Sequence, residues 1–147
     1  MKMSTRARYG ARALAELAAA YHHKPLSVKE LAHIQCLSVK YLEQIMAALK
    51  AAGLVRAVRG LHGGYELGSA PEEISLGDVY EALEGKPMLV ECIAHPETCA
   101  MRENCPTRDT WVELNEAVTQ VLEKTTLADL ARRKVEKSRQ AVGMYEI

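Results

Sequence analysis

The chain has 147 residues, enough for one domain or for a small domain with an appended element. Apolar residues make up 48%, with no Phe and one Trp, so the core must come from Ala, Leu, Val and Ile, a composition that favours helices. Net charge is zero, and no apolar run approaches the roughly 18 residues that cross a membrane, nor does the N-terminus carry a secretory pattern, so a membrane protein is excluded and a cytoplasmic one expected.

The neutrality hides an asymmetry. Residues 1–70 hold ten Lys/Arg against four Asp/Glu, and residues 71–147 hold nine against fifteen, so the halves carry +6 and −6. A basic half suits a polyanionic partner, and an acidic half a different task.

In chain order, Arg6 to His22 places Leu14, Leu17, Ala18 and Tyr21 on one helical face, and Pro25 stops it. Ser27 with Glu30 is a capping box for a short helix with Leu31 and Ile34 inward. The stretch CLS is a tight turn, in which Cys36 reads as a small buried hydrophobe, and Ser38 caps the next helix. That helix carries Leu42, Ile45, Met46 and Leu49 at helical spacing and ends at Gly53. The period then switches to strand, glycine-rich turn and strand over LVRAV, RGLHGG and YEL. Ser75 and Asp78 cap a helix closed by Gly85, and a polar segment rich in cysteine follows. Pro106 reads as the first position of a long helix to about Lys124. Trp111, Leu114, Val118, Val121 and Thr125 form a narrow seam on it, suited to pairing with another helix. Thr126 with Asp129 caps a last helix through Lys137, and the tail AVGMYEI is expected to fray.

Helix, capped helix, tight turn, helix, strand, glycine-rich turn, strand is the order of a winged helix-turn-helix domain. The predicted fold class is therefore mainly α with a small β-wing, joined to a long dimerisation helix. The helix after the turn offers Ser38, Lys40, Tyr41, Glu43 and Gln44 to base edges, opposite its buried face. The wing offers Arg59 near a slim tip made by Gly60, Gly63 and Gly64, with Arg56 and His62 beside it, a form that fits a narrow minor groove. The glycine-rich stretch leads into a strand and lacks the Gly-Lys-Ser/Thr of a phosphate loop. With no G-x-S-x-G and no acid/base pair beside the cysteines, an enzyme is not expected.

Cys92, Cys99 and Cys105 fall in fourteen residues at spacing C-x6-C-x5-C. Clustered thiols in a reducing compartment suit metal better than a structural disulfide. The spacing lacks the paired C-x2-C of common zinc sites, yet His95 would complete a Cys3His zinc set, so the residues leave both zinc and an iron–sulfur cluster open, alongside a thiol/disulfide switch.

These residues together make the chain resemble the IscR/NsrR-type family of bacterial transcription regulators. The resemblance rests on STRARYGARAL, on LSVKYLEQIMAALKAAGLVRAVRGLHGGYEL, on ISLGDVYEALEG and on the three-cysteine loop before a long helix. It implies a homodimer on a palindromic duplex operator, with Ser38 to Leu49 as recognition helix, Arg59 to Gly64 as wing and Pro106 to Lys124 as dimerisation helix. It also implies that Cys92, Cys99 and Cys105 ligate an iron–sulfur cluster, 2Fe–2S or 4Fe–4S, as a sensor controlling a repressor's operator affinity. Where some members place a ligating His, this chain has Arg108, and where others use an acidic residue near the partner's N-terminus it has Arg8. Neither guanidinium can ligate, which leaves His95, Glu97, Glu103, Asp109, water or a small thiol as fourth ligand. The expected division is residues 1–85 for DNA, 86–106 for the cluster and 107–147 for dimerisation and the last helix.

Overall fold

The computed structural model describes residues 3–144. Seven helices and one two-stranded antiparallel sheet follow in order: α1 (Thr5–Ala19), α2 (Val28–Gln35), α3 (Val39–Ala51), β1 (Val55–Val58), β2 (Gly64–Leu67), α4 (Leu76–Glu84), α5 (Glu91–Ala94), α6 (Arg108–Lys124) and α7 (Leu127–Gly143). The molecule is thus mainly helical with a small β-wing.

Local chemistry sets most boundaries. The Ser4 hydroxyl accepts from the Ala7 amide at 2.9 Å and starts α1. The helix ends at Ala19, short of the expected His22, because the chain winds into tight turns (Tyr21 N to Ala18 O, His23 N to Ala20 O) and His22 adopts φ 66°. Capping boxes form at Ser27/Glu30, Ser75/Asp78 and Thr126/Asp129, each satisfying two orphan amides of a helix start. Ser38 Oγ accepts from the Tyr41 amide at 3.2 Å and opens α3.

One core joins these pieces. Leu14, Leu31, Leu42, Ile45, Met46 and Leu49 are fully buried, and Val79 and Leu83 of α4 close the far side. The wing pairs Val55 with Leu67 and Val58 with Gly64. Leu26 and Tyr65 exchange backbone hydrogen bonds at 3.0 and 2.8 Å, which ties the wing to the α1–α2 connection.

Two expectations in this region are corrected. Ile34 is 46% exposed, because Leu31, Ala32 and Gln35 take the inward face of the eight-residue α2. Cys36 is exposed and not a buried hydrophobe: it is the cap that ends α2, and its left-handed conformation, φ 54°, leaves its side chain outside while Leu37 packs against the core.

The C-terminal helices divide their allegiance. In α6 only Leu122 is buried. Pro106 precedes the cap residue Thr107 rather than occupying the first helical position, since Thr107 still has φ −103° and α6 begins at Arg108. Leu76 N donates to Thr125 O at 2.7 Å and Leu127 N to Ile74 O at 2.9 Å, so the α6–α7 junction is stitched to the segment before α4. Leu127 is fully buried in the main core, and Leu130 and Ala131 pack against it. α7 continues to Gly143, beyond the expected Lys137; of the tail expected to fray, Tyr145 to Ile147 lie outside the described residues.

Candidate nucleic-acid interface and cysteine loop

The turn and α3 put the expected recognition residues on one outward face. Ser38, Lys40, Glu43 and Gln44 are exposed, while Leu42, Ile45 and Met46 anchor the opposite face. Tyr41 is half-buried and meets Tyr9 edge to face, ring centroids 6.2 Å apart. The Arg12 guanidinium sits 5.5 Å from the Tyr9 ring centroid, so cations and aromatic rings continue from α1 to the base of α3.

The wing is a two-stranded ribbon carrying Arg56 and Arg59. Arg56 pairs across the strands with Glu66 at 2.6 Å and serves the hairpin itself, while among the described residues Arg59 makes no ion pair. Gly63 N donates to Gly60 O at 3.1 Å to close the turn. A Cβ on Gly63 would strike the Val58 carbonyl oxygen, and one on Gly64 would lie 2.5 Å from the Leu26 carbonyl group. The glycines are thus required by close backbone approach. Sequence reasoning passed over Leu61, 95% exposed at the tip; its only signal was an apolar residue inside a glycine turn.

The segment between α4 and α6 is less irregular than expected. Cys92 lies in α5, Cys99 follows a single 3-10 turn at Pro96–Thr98, and Cys105 precedes the cap of α6. All three thiols are free and half-buried. The Cys105 sulfur is 3.4 Å from Thr107 Oγ1, and hydrogen bonds from Thr107, side chain then backbone, hold its pKa below the usual thiol value, with Arg108 adding to the effect. Arg108 donates to the Cys92 carbonyl oxygen at 2.8 Å, and the Leu89 amide to Asn115 Oδ1 at 3.0 Å. These two contacts clamp the loop's entry to α6, and no pattern in the sequence announced either.

His95 stands between two carboxylates, Nδ1 3.4 Å from Glu97 and Nε2 3.8 Å from Glu91. Among the described residues, no three His, Cys, Asp or Glu side chains gather closely enough to hold a metal ion. The structure therefore brings Cys92, Cys99 and Cys105 to one short segment without converging them.

Relatives place the whole arrangement. A family model, Rrf2, described as "Iron-dependent Transcriptional regulator", matches residues 3–133. The HTH-type transcriptional regulator CymR of Bacillus subtilis (strain 168) is 42% identical over 131 residues, 89% of this chain and 90% of that protein. Protein rrf2 of Nitratidesulfovibrio vulgaris is also 42% identical, over 90% of this chain and 88% of its own. The fold of this chain matches the solved B. subtilis CymR, titled "the Global Cysteine Regulator", with TM-score 0.81 at 41% identity over 90% of this chain and 98% of that one. It also matches T. potens IscR, with TM-score 0.73 at 35% identity over 91% and 88%. The matching family model and the B. subtilis relative are named as regulators of transcription, not as enzymes. With its winged helix-turn-helix and its match over nearly the full length, the chain belongs to the Rrf2 family of transcriptional regulators.

Proposed function

We propose that the protein is a homodimeric repressor that binds a palindromic duplex operator, and that an iron–sulfur cluster held by Cys92, Cys99 and Cys105 controls its operator affinity. In this reading residues 1–85 form the DNA-binding unit, 86–106 the sensing loop and 107–147 the dimer helix with α7. Ser38, Lys40, Tyr41, Glu43 and Gln44 meet base edges in the major groove, and Arg59, with Gly63 and Gly64 keeping the wing slim, enters the minor groove. The exposed seam Trp111, Leu114 and Val121 on α6 supports pairing with a second copy.

The donor set fits the cluster in its chemistry. The observation that carries the reading is three free, half-buried thiols on one short segment beside the dimer helix. Thiolates are the usual ligands of such clusters, and one of the three is already eased toward thiolate. Bound there, an iron–sulfur cluster supplies a redox-active, labile inorganic centre. The chain's own part is to close the loop: Arg108 and Asn115 hold its entry to α6, so drawing Cys99 toward Cys92 and Cys105 orders residues between α4 and the dimer seam.

One observation favours a second reading. The thiols are separate and partly accessible, which suits a thiol/disulfide switch. A structural Cys3His zinc site would in addition have to take His95 from Glu91 and Glu97.

Protein purified without oxygen tests all three. Iron and sulfide with a visible absorption band, and a changed affinity for a duplex selected from a random pool once the cluster is removed, are expected. Colourless protein with about one zinc per chain supports the structural site. A disulfide among Cys92, Cys99 and Cys105 by mass spectrometry, with no metal, supports the switch. Unchanged DNA affinity in Cys92→Ser, Cys99→Ser and Cys105→Ser removes sensing altogether.

A further inference from the structure

The acidic half of the chain is not acidic where it touches the DNA-binding unit. α7 carries Arg132, Arg133, Lys134, Lys137 and Arg139 against Asp129 and Glu136, and packs along α1. Between α7, α1 and the last turn of α2 runs an open groove of about 770 Å3. Its lining is apolar along Ala15, Ile34, Leu130 and Ala141, and Ile34 is the residue that the fold leaves 46% exposed there.

The polar groups of the groove are unbalanced. Lys134 pairs with Glu16 at 2.9 Å, and Glu16 also accepts from Gln35 Nε2 at 3.2 Å, so the one lining carboxylate is already neutralised. Arg12, Arg133 and Lys137 line the same groove and, among the described residues, make no ion pair. The Gln35 side chain is buried and, among the described residues, its Oε1 has no hydrogen-bond partner. With Arg12 drawn toward the Tyr9 ring, Arg133 and Lys137 over an apolar bed match an occupant that is anionic at one end and apolar along its length. Duplex phosphates would use the cations but gain nothing from Ile34, Ala15 or Leu130.

We propose that this groove is a binding site for a small amphipathic carboxylate, its carboxylate on Arg133 and Lys137 and its apolar body against Ile34 and Leu130. The site lies outside the cysteine loop and goes beyond the function proposed above. Its occupant touches the end of α2, one residue before the turn that positions α3.

The test uses the full chain without DNA, so its failure and the failure of the DNA-binding reading are separate. Octanoate is titrated and followed by calorimetry and by amide chemical shifts. Saturable binding at one site per chain, with Kd below about 1 mM, and shifts confined to α1, the end of α2 and α7 are expected. The double variant Arg133→Gln/Lys137→Gln should weaken octanoate by about tenfold or more, and 1-octanol and inorganic phosphate should each bind the native chain at least about tenfold more weakly than octanoate. Phosphate binding as well as octanoate, indifference to the double variant or non-saturable uptake overturns the proposal. So does loss of the dimer in the double variant, which would give the groove to a second copy. A double variant with a lower salt slope on a random-sequence duplex would give the cations to DNA phosphates and overturn it equally.

Discussion

Single residues show most directly how little freedom the wing has. Gly64 lies against the Leu26 backbone, and a backbone carbonyl cannot step aside as a side chain can. Gly64→Ala is expected to cost about 1–3 kcal/mol, read as a lower urea midpoint with unchanged m. Gly10→Ala is a fitting control: its Cβ would meet the tip of Leu83, which can rotate away, so its loss should be the smaller. An equal loss at both sites would mean that the wing's close approach is not what holds Gly64. Acid sensitivity also belongs to named residues. Glu30 falls from its ordinary 4.5 to about 2, first through the Ser27 amide and then Lys24; Asp129 falls from 3.8 to about 2, first through the Thr126 amide and then Arg132. Both folded values lie below the unfolded ones, so the stabilisation is complete above about pH 4.5 and disappears as pH falls toward about 2. Glu30→Gln/Asp129→Asn should flatten the thermal midpoint across that interval; a slope as steep as the native one would place the acid sensitivity in other carboxyls.

Elements were legible wherever the decisive forces act within one helical turn. The three capping boxes, the Ser38 cap and the glycine stops after α3 and α4 all formed as their residues dictate, because each is an i to i+3 or neighbouring-backbone effect. The misses have tertiary causes. Ile34 looked inward by spacing alone, but α2 is rotated by the packing of Ala32 and Gln35. The C-terminal reach of α7 is not legible in the sequence because its last turns are polar and exposed, with no core-facing pattern to mark where the helix ends. In the candidate site the outward residues of α3 and the wing glycines were readable from periodicity, whereas Arg108 on the Cys92 carbonyl was not, since a helix-start guanidinium reaching back sixteen residues leaves no trace in spacing. α7 provides the prediction at this scale. Thr126→Ala, removing its cap, should cost about 1 kcal/mol. Leu127→Ala, opening a cavity in the main core, should cost about 2–5 kcal/mol in urea unfolding. If the second change cost no more than the first, α7 would not be an integral part of the core.

For the whole molecule, the exposed apolar side of α6 is the feature that a lone chain does not explain. Trp111 is 38% exposed, Leu114 45% and Val121 64%, in a helix with one buried residue. On the proposed dimer, Leu114→Asp/Val121→Asp should yield monomers by sedimentation and, because the two half-sites of the proposed operator would then be bound independently, lose about 100-fold or more in operator affinity. A double variant that still sedimented as a dimer would move the pairing surface elsewhere.

The stitching at Thr125 and Leu127 gives α6 a mechanical character. One end of the rod is pinned to the body by the backbone bonds to Leu76 and Ile74, and the other begins three residues after Cys105. Seventeen residues make an arm of about 25 Å, so swinging it by about 5° moves the far end by roughly 2 Å. In the proposed dimer a rod so mounted would work as a lever: a small adjustment around the sulfur atoms would become a small angle at the pinned end, and two bodies joined rod to rod would turn by the sum of the two.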